Sequence, residues 1–271
     1  MKLFPPSLFR LSFSLKVKNL TSHPDKARRF AALHARGGPL VLYNVWDAGS
    51  AQAVAKAGVG AIATGSASVA MANGFGDGEL VPMEFALSNA RRIVEAVELP
   101  VTVDFEGAYS DDAAEGARHI ARLAETGAIG CNFEDQIVGG KDLHPIAVQA
   151  QRILAAREAV GPDFFINART DLFLKTPQET HDDAMLDEAI ARARAYAEAG
   201  ASGFFVPMLG DLGLLRQLCG DSPIPVNFMT YPGCPSDDEV AATGVSRISH
   251  GPFPYMALME QLTEAAKAAI G

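Results

Sequence analysis

The chain alternates short apolar runs with longer stretches rich in alanine. Each run is followed within a few residues by a polar side chain that a buried strand would not need. Apolar runs separated by helical stretches are typical of parallel strands joined by helices. Eight such units predict a (β/α)8 barrel, a fold that keeps its chemistry at the carboxyl ends of the strands. The predicted strands lie at residues 39–45, 60–65, 100–103, 130–133, 164–166, 203–206, 225–226 and 245–248.

The stretches between these runs predict helices, of which the one at 83–97 is amphipathic and another begins near Ser50. The helix at 24–35 precedes the first strand, so we expect it to close the bottom of the barrel. A glycine-rich segment at 73–79 predicts either a plain surface turn or a mobile flap that carries Asp77 toward the centre. The other predicted helices lie at 83–97, 111–126, 145–160, 182–199 and 254–270.

Length and charge narrow the class of protein. A chain of 271 residues accommodates one barrel domain, 23–271, preceded by an extension at 1–22 that we expect to be mobile. The net charge of -9 argues against nucleic acid as a partner, because phosphate binding needs a basic face. No run approaches the roughly 18 apolar residues of a membrane span. The acidic charge does not exclude a small anionic substrate, which a few local cations and a metal can hold.

The cysteines indicate a reducing compartment. Three cysteines without close spacing give neither a disulfide framework nor a zinc signature. We therefore expect a cytoplasmic protein, although the composition of residues 1–22 also fits an organelle transit peptide.

Carboxylates cluster at the ends of neighbouring predicted strands. Asp104 and Glu106 are two residues apart, so on a strand they would point to the same face. Two converging carboxylates repel each other unless a cation lies between them. Hard oxygen ligands favour Mg²⁺, with Mn²⁺ as the alternative, over zinc. Glu134 on the next strand and Asp77 on its loop would complete the site; alternatively, each acid is a solvated strand end.

Polar groups that could hold a substrate follow four other strands. A guanidinium at Arg169 can bind a carboxylate or stabilise an enolate oxygen. Its alternative role is structural pairing with Asp171 or Glu134. Asn227 can donate a hydrogen bond from strand seven. Further candidates for substrate binding, at the ends of strands one and two, are Tyr43, Asp47, Gly65 and Ser66.

With these motifs in order along one barrel, the chain resembles the isocitrate lyase/phosphoenolpyruvate mutase superfamily over about residues 24–270. The motifs are 43–50 (YNVWDAGS), 76–79 (GDGE), 103–109 (VDFEGAY), 132–135 (NFED), 167–171 (NARTD) and 225–229 (PVNFM). The resemblance implies Mg²⁺ ligands, several acting through water, at Asp77, Asp104, Glu106 and Glu134. It implies substrate contacts at Ser66, Arg169 and Asn227. It also implies a carboxyl-terminal helix swapped between subunits, and hence a homodimer or homotetramer.

The resemblance further implies a lyase that cleaves a C–C bond of a small 2-oxo or 2-hydroxy acid, such as oxaloacetate, through a metal-stabilised enolate. The loop at 136–144 lacks the cysteine motif of isocitrate and methylisocitrate lyases. Lys141 and His144 remain as acid/base candidates, beside Arg169 and Glu134 as catalytic groups. If neither Lys141 nor His144 reaches the ion, slow or absent turnover is expected. The alternatives are P–C bond hydrolysis of phosphonopyruvate and a non-catalytic member that binds Mg²⁺ and a 2-oxo acid.

Overall fold

The computed structural model describes residues 23–36 and 38–271, so the predicted extension at 1–22 lies outside the described residues. In the described part, eight parallel strands form one sheet in the order β1-β8-β7-β6-β5-β4-β3-β2. A parallel bridge between Val45 and Thr64 links the ends of the first two strands, so the barrel is almost closed. The predicted (β/α)8 barrel is confirmed. The strands are β1 Leu40–Leu42, β2 Ile62–Ala63, β3 Val101–Asp104, β4 Gly130–Glu134, β5 Phe165–Arg169, β6 Gly203–Phe205, β7 Val226–Met229 and β8 Arg247–Ser249.

Helices follow the strands as the alanine-rich stretches predict. The predicted helices are confirmed with ends that differ by a few residues. Helix α5 begins after its N-cap, Asp112, which accepts a bond from the Glu115 amide. Helices α3, α8 and α9 were not predicted. The helices are α1 His23–Ala32, α2 Ala48–Lys56, α3 Ser66–Ala72, α4 Met83–Ala96, α5 Ala113–Ala124, α6 Ile146–Val160, α7 Asp183–Glu198, α8 Leu212–Asp221, α9 Asp237–Ala241 and α10 Phe253–Ile270.

The bottom of the barrel is apolar and is covered by α1. Phe30 of α1 packs edge-on against Phe165 of β5, with ring centroids 5.1 Å apart. Leu40 and Leu42 of β1 belong to the same buried cluster. The expectation that the first helix closes the barrel is therefore confirmed.

The middle of the barrel is polar, although such barrels are usually filled by Val, Ile and Leu. Asn167 donates to Asn132 Oδ1 at 2.8 Å and to Asn227 Oδ1 at 3.1 Å. Arg247 is buried in the same layer, and only its Nη2 approaches a partner, Asn132 Oδ1 at 3.5 Å. Its Nε and Nη1 have no hydrogen-bond partner among the described residues. A buried positive charge therefore lies one layer below the carboxyl-terminal mouth.

None of the helices in the described ranges combines the length and the apolar character that crossing a bilayer requires.

Candidate active site

A cavity of about 160 Å³ opens at the carboxyl-terminal mouth of the barrel. Every strand contributes a residue, seven of them from the strand's end or just beyond it and Asn132 from the middle of β4, so the cavity lies on the barrel axis. Catalytic sites occupy this position in (β/α)8 enzymes. The residues that line it, one for each strand from β1 to β8, are Asn44, Gly65, Asp104, Asn132, Arg169, Phe205, Met229 and Ser249.

Asp104, the last residue of β3, is held by three hydrogen bonds. The amide and hydroxyl of Ser66 donate to Oδ2 at 3.2 and 3.1 Å, and Asn132 Nδ2 donates to Oδ1 at 3.2 Å. The Ser66 amide is free for this role because it lies in the first turn of α3, where helix amides lack partners. The carboxylate is thus fixed where it lines the cavity.

Asp77 reaches the cavity from the glycine-rich loop between α3 and α4, as predicted. Partial desolvation raises the pKa of Asp77, and the negative charge of Asp104 raises it further. Two carboxylates that share one cavity repel each other, and a cation between them would relieve that repulsion.

Arg169 lines the same cavity and is held by buried acids. Its Nε and Nη2 donate to Asp171 at 2.5 and 3.1 Å, and its Nη1 lies 2.9 Å from Glu134 Oε2. Nη1 is also 3.9 Å from Asp104 Oδ2. Desolvation alone would lower the pKa of Arg169, but Asp171 and Glu134 hold it well above its ordinary value. The predicted structural pairing is present, and it presents a fixed positive charge to the cavity.

Glu106 does not occupy the position that the two-residue period of a β-strand predicts. Strand β3 ends at Asp104, and Glu106 follows with a left-handed backbone, φ 51°. Its Oε1 accepts the amides of Gly78 and Glu79, both at 2.9 Å. Glu106 therefore does not line this cavity. It lines a smaller neighbouring pocket together with Asp104, although not through the expected strand geometry.

Glu134 also lies behind the cavity wall. It is buried, faces Arg169 and accepts a bond from Gln136. Burial raises the pKa of Glu134 against the opposing charge of Arg169. The predicted four carboxylates therefore divide: Asp77 and Asp104 line the cavity, while Glu106 and Glu134 support its walls.

The side chains at the mouth offer Mg²⁺ two carboxylates. Within residues 23–36 and 38–271, no three His, Cys, Asp or Glu side chains come together as a complete metal site. Mg²⁺ is commonly bound by one or two carboxylates while it keeps several waters. Asp77 and Asp104 match that mode of binding. Burial raises the pKa of Glu106 to about 8, and the negative charges of Asp104 and Asp77 contribute to that rise. The residues present fit a hydrated divalent ion.

Three of the substrate candidates lie away from the cavity. Asp47 caps α2 by accepting the Ser50 amide at 2.7 Å. Tyr43 is exposed and packs against His250, with ring centroids 5.2 Å apart. Asn227 belongs to the polar layer below. Gly65 and Ser66 do line the cavity, as predicted.

The loop at 136–144 does not bring its acid/base candidates to the cavity. His144 is buried, with Nε2 3.1 Å from Asp111 Oδ1, and Lys141 is exposed. The loop is pinned by a bridge between Gln136 and Leu143. Neither Lys141 nor His144 lines the cavity.

The sequence analysis missed Asn44, Asn132 and Ser249 as cavity residues. A signal existed for Asn132, because it precedes Glu134 by two residues on one strand and therefore shares its face. For Asn44 and Ser249, only their position at strand ends distinguished them.

The family model for phosphoenolpyruvate phosphomutase matches residues 30–270. The chain belongs to this family. The predicted membership of the isocitrate lyase/phosphoenolpyruvate mutase superfamily is confirmed, as is the prediction of an enzyme of that superfamily.

Individual relatives in this family carry different names. A crystal structure from Burkholderia cenocepacia J2315, whose phosphonomutase name is provisional, shares 49% identity with a TM-score of 0.89 and covers 92% of this chain and 100% of that one. The 2-methylisocitrate lyase of Escherichia coli K12 is 30% identical over 75% of this chain and 68% of its own. The oxaloacetate decarboxylase of Pseudomonas syringae pv. tomato is 29% identical over 88% and 83%. Family membership therefore leaves the reaction open.

Proposed function

We propose that the chain is a Mg²⁺-dependent lyase that cleaves a C–C bond of a small 2-oxo or 2-hydroxy carboxylate. The observation that carries this proposal is the meeting of Asp77 and Asp104 with Arg169 in one cavity of about 160 Å³. A cation bound by the two acids would contact the same small anion as the guanidinium of Arg169. The cavity is too small for a drug-sized ligand, which needs roughly 300 Å³ or more.

The roles of the side chains follow from their contacts. Asp77 and Asp104, with waters, would hold Mg²⁺; when bound, the ion supplies Lewis-acid stabilisation of enolate charge. Arg169 would bind the substrate carboxylate, because Asp171 and Glu134 fix the orientation of its guanidinium group. Ser66 orients Asp104 through its amide and hydroxyl.

The apolar wall of the cavity would exclude water from part of the substrate. Leu174, Phe205 and Met229 line it. A drier wall strengthens the attraction between Arg169 and an anion, since it lowers the local dielectric.

The positions of the possible proton donors favour decarboxylation over other C–C cleavages. Lys141 and His144 lie outside the cavity, so a reaction that needs an acid from this loop is disfavoured, and we expect slow turnover. Decarboxylation of an oxaloacetate-like acid gives an enolate that water can protonate. The Pseudomonas relative bears the name of that reaction. We therefore rank oxaloacetate-like substrates first and substituted malates second.

Hydrolysis of a P–C bond is the second candidate. The provisional name of the Burkholderia protein favours it. The short loop at 136–144 argues against a mutase, because a reactive phosphoryl group must be kept from water. A non-catalytic member that binds the same ligands is the third candidate.

The test is an activity assay with a matched background. Oxaloacetate and phosphonopyruvate are incubated with Mg²⁺ and either the wild type or Asp104→Ala at equal concentration. Free Mg²⁺ also promotes the decay of oxaloacetate, so only turnover above the variant counts. Pyruvate from oxaloacetate supports the lyase. Phosphate from phosphonopyruvate supports the hydrolase, and neither product, together with Mg²⁺-dependent oxalate binding, supports the non-catalytic member.

A further inference from the structure

Two loops at the mouth are joined by reciprocal hydrogen bonds between carboxylates and backbone amides. Glu106, in the loop after β3, accepts the amides of Gly78 and Glu79 at 2.9 Å each. Glu79, in the loop before α4, accepts the amide of Tyr109 at 2.6 Å. Each loop thus provides one carboxylate to the backbone of the other. We name this arrangement the carboxylate brace.

The brace holds an unusual backbone. Glu79, Glu106, Ala108 and Tyr109 all have left-handed φ, at 59°, 51°, 62° and 57°. Residues other than glycine adopt this region at an energetic penalty, and they remain there only where their surroundings dictate it. A Cβ at Gly107 would lie 3.0 Å from Glu79 Oε1, so the loops could not approach as closely with a larger residue.

One side of the brace is anchored to the barrel. Arg152 of α6 is buried and donates through Nη2 to Gly107 O at 2.6 Å and to Ser110 O at 2.8 Å. Its guanidinium also stacks over Phe133, 4.7 Å from the ring centroid. The loop after β3 is therefore a fixed platform, and the loop before α4 is the part that the brace holds in place.

Asp77 directly precedes the two amides that Glu106 accepts. We infer that Glu79 and Glu106 are positioning residues that hold the 73–80 loop against the platform and so keep Asp77 at the cavity. The inference rests on the proposed function for the purpose of Asp77 there, but the brace itself does not depend on a metal. Glu106 acts as a hydrogen-bond acceptor for the loop rather than as a ligand of the ion.

Hydrogen exchange of the 73–80 amides tests the brace in the full-length protein. Glu106→Ala and Glu79→Ala should raise exchange of the Gly78 and Glu79 amides at least about fivefold, the effect of one lost hydrogen bond. Glu106→Gln keeps the acceptor oxygen and should retain protection. Glu84→Ala removes an exposed carboxylate paired with Arg122 and serves as the control.

Mg²⁺ titration calorimetry on the same variants distinguishes a positioning role of Glu106 from a role as a ligand of the ion. Glu79→Ala should weaken Mg²⁺ binding at least about threefold although Glu79 does not line the cavity, while Glu106→Gln should bind Mg²⁺ nearly as the wild type does. If Glu106→Gln and Glu106→Ala lose Mg²⁺ equally and exchange stays at the wild-type level, Glu106 is a ligand and the inference is wrong.

Two further outcomes remain interpretable. If Glu106→Ala does not fold, Glu79→Ala carries the exchange test, because Glu79 is only partly buried. If the exchange results are as expected but the wild type binds no Mg²⁺, the brace stands and the proposed function fails. Unchanged exchange in both alanine variants overturns the brace whatever the metal result.

Discussion

The acids at the mouth of the barrel differ in their partners more than in their chemistry. Asp104 accepts three hydrogen bonds and lines the cavity, whereas Glu134 faces Arg169 behind the wall. Glu106 accepts backbone amides from a neighbouring loop. The role of each carboxylate is therefore set by the donors around it, and we expect substitutions at these positions to have distinct effects.

Arg169→Lys tests the anion site. A lysine has one compact ammonium and cannot satisfy Asp171 through two nitrogens while facing the cavity. We expect oxalate binding in the presence of Mg²⁺ to weaken by about 1–3 kcal/mol, measured by calorimetry. Arg122→Lys, in an exposed ion pair, is the control. Equal oxalate affinity of Arg169→Lys and the wild type would count against the assigned role.

Arg247→Met tests the buried charge in the polar layer. Burial lowers the pKa of Arg247 to about 9, so at pH 7 the folded protein holds a charge with unsatisfied donors. We expect the variant to be more stable at pH 7 by about 1–4 kcal/mol, as for other buried charges replaced by apolar groups.

The stabilisation expected for Arg247→Met should decrease as pH rises. Above pH 9 the folded wild type releases the proton while the unfolded chain keeps it, so wild-type stability rises and the gain from Arg247→Met shrinks. Urea unfolding at pH 7 and pH 10 measures both values, with Arg91→Met, an exposed helix position, as the control. A gain that is absent at pH 7, or that grows with pH, would contradict the account.

Among the secondary-structure elements, α1 is followed two residues after its end by a second titratable group, His34. His34 stacks on Phe165 with ring centroids 4.4 Å apart, and its Nδ1 lies 2.9 Å from Phe30 O. Burial, with the charge of Arg247, lowers the pKa of His34 to about 4. The folded state therefore favours neutral His34, and stability should fall as pH drops from 6.5 to 4.

His34→Phe should remove this acid sensitivity while keeping the stacking. Between pH 7 and pH 4, we expect the free energy of unfolding to fall by up to about 3 kcal/mol more in the wild type than in the variant. Thermal or urea unfolding across this range measures it. If the free energy of unfolding depends on pH in the same way in both proteins, His34 is not the neutral group proposed beside α1.

The strands and helices could be predicted because their patterns are local. Alternating apolar runs and alanine-rich stretches locate every strand, and the strand ends locate Asp104 and Arg169. Glu106 could not be placed in the same way, because β3 stops at Asp104 and a left-handed φ at a glutamate has no sequence signal. Asp47 was misleading because the same side chain serves equally well as a helix cap.

The site was predicted less completely than the fold for a physical reason. Residues such as Asn132 and Ser249 line the cavity because their side chains converge on the barrel axis. This convergence depends on the register of all eight strands. The reciprocal bonds of the carboxylate brace likewise join loops that are about 28 residues apart.

For the whole molecule, α10 is the element that points to assembly. Leu258 and Leu262 are 45% and 59% exposed, and their spacing of four residues puts them on one face of this carboxyl-terminal helix. Exposed apolar side chains that share a face mark interaction surfaces. We propose that α10 packs against a second copy of the chain; whether it is swapped remains a prediction.

Light scattering after gel filtration tests this proposal. We expect the wild type to be a dimer or tetramer and the double variant Leu258→Glu, Leu262→Glu to have a lower mass, because a charge buried without a partner destabilises an interface. Leu154→Glu, at an exposed leucine of α6, should leave the mass unchanged. A monomeric wild type would exclude the assembly.

The central claim is that Asp104 helps to hold a divalent ion that binds a small oxo acid beside Arg169. The most direct measurement is calorimetry of oxalate with the wild type and Asp104→Ala, each in Mg²⁺ and in chelator, with Asp47→Ala as the control outside the cavity. We predict one oxalate per chain for the wild type and for Asp47→Ala in Mg²⁺ only, and no binding to a folded Asp104→Ala. Oxalate binding that survives the chelator, or that Asp104→Ala retains at wild-type affinity, would contradict the claim.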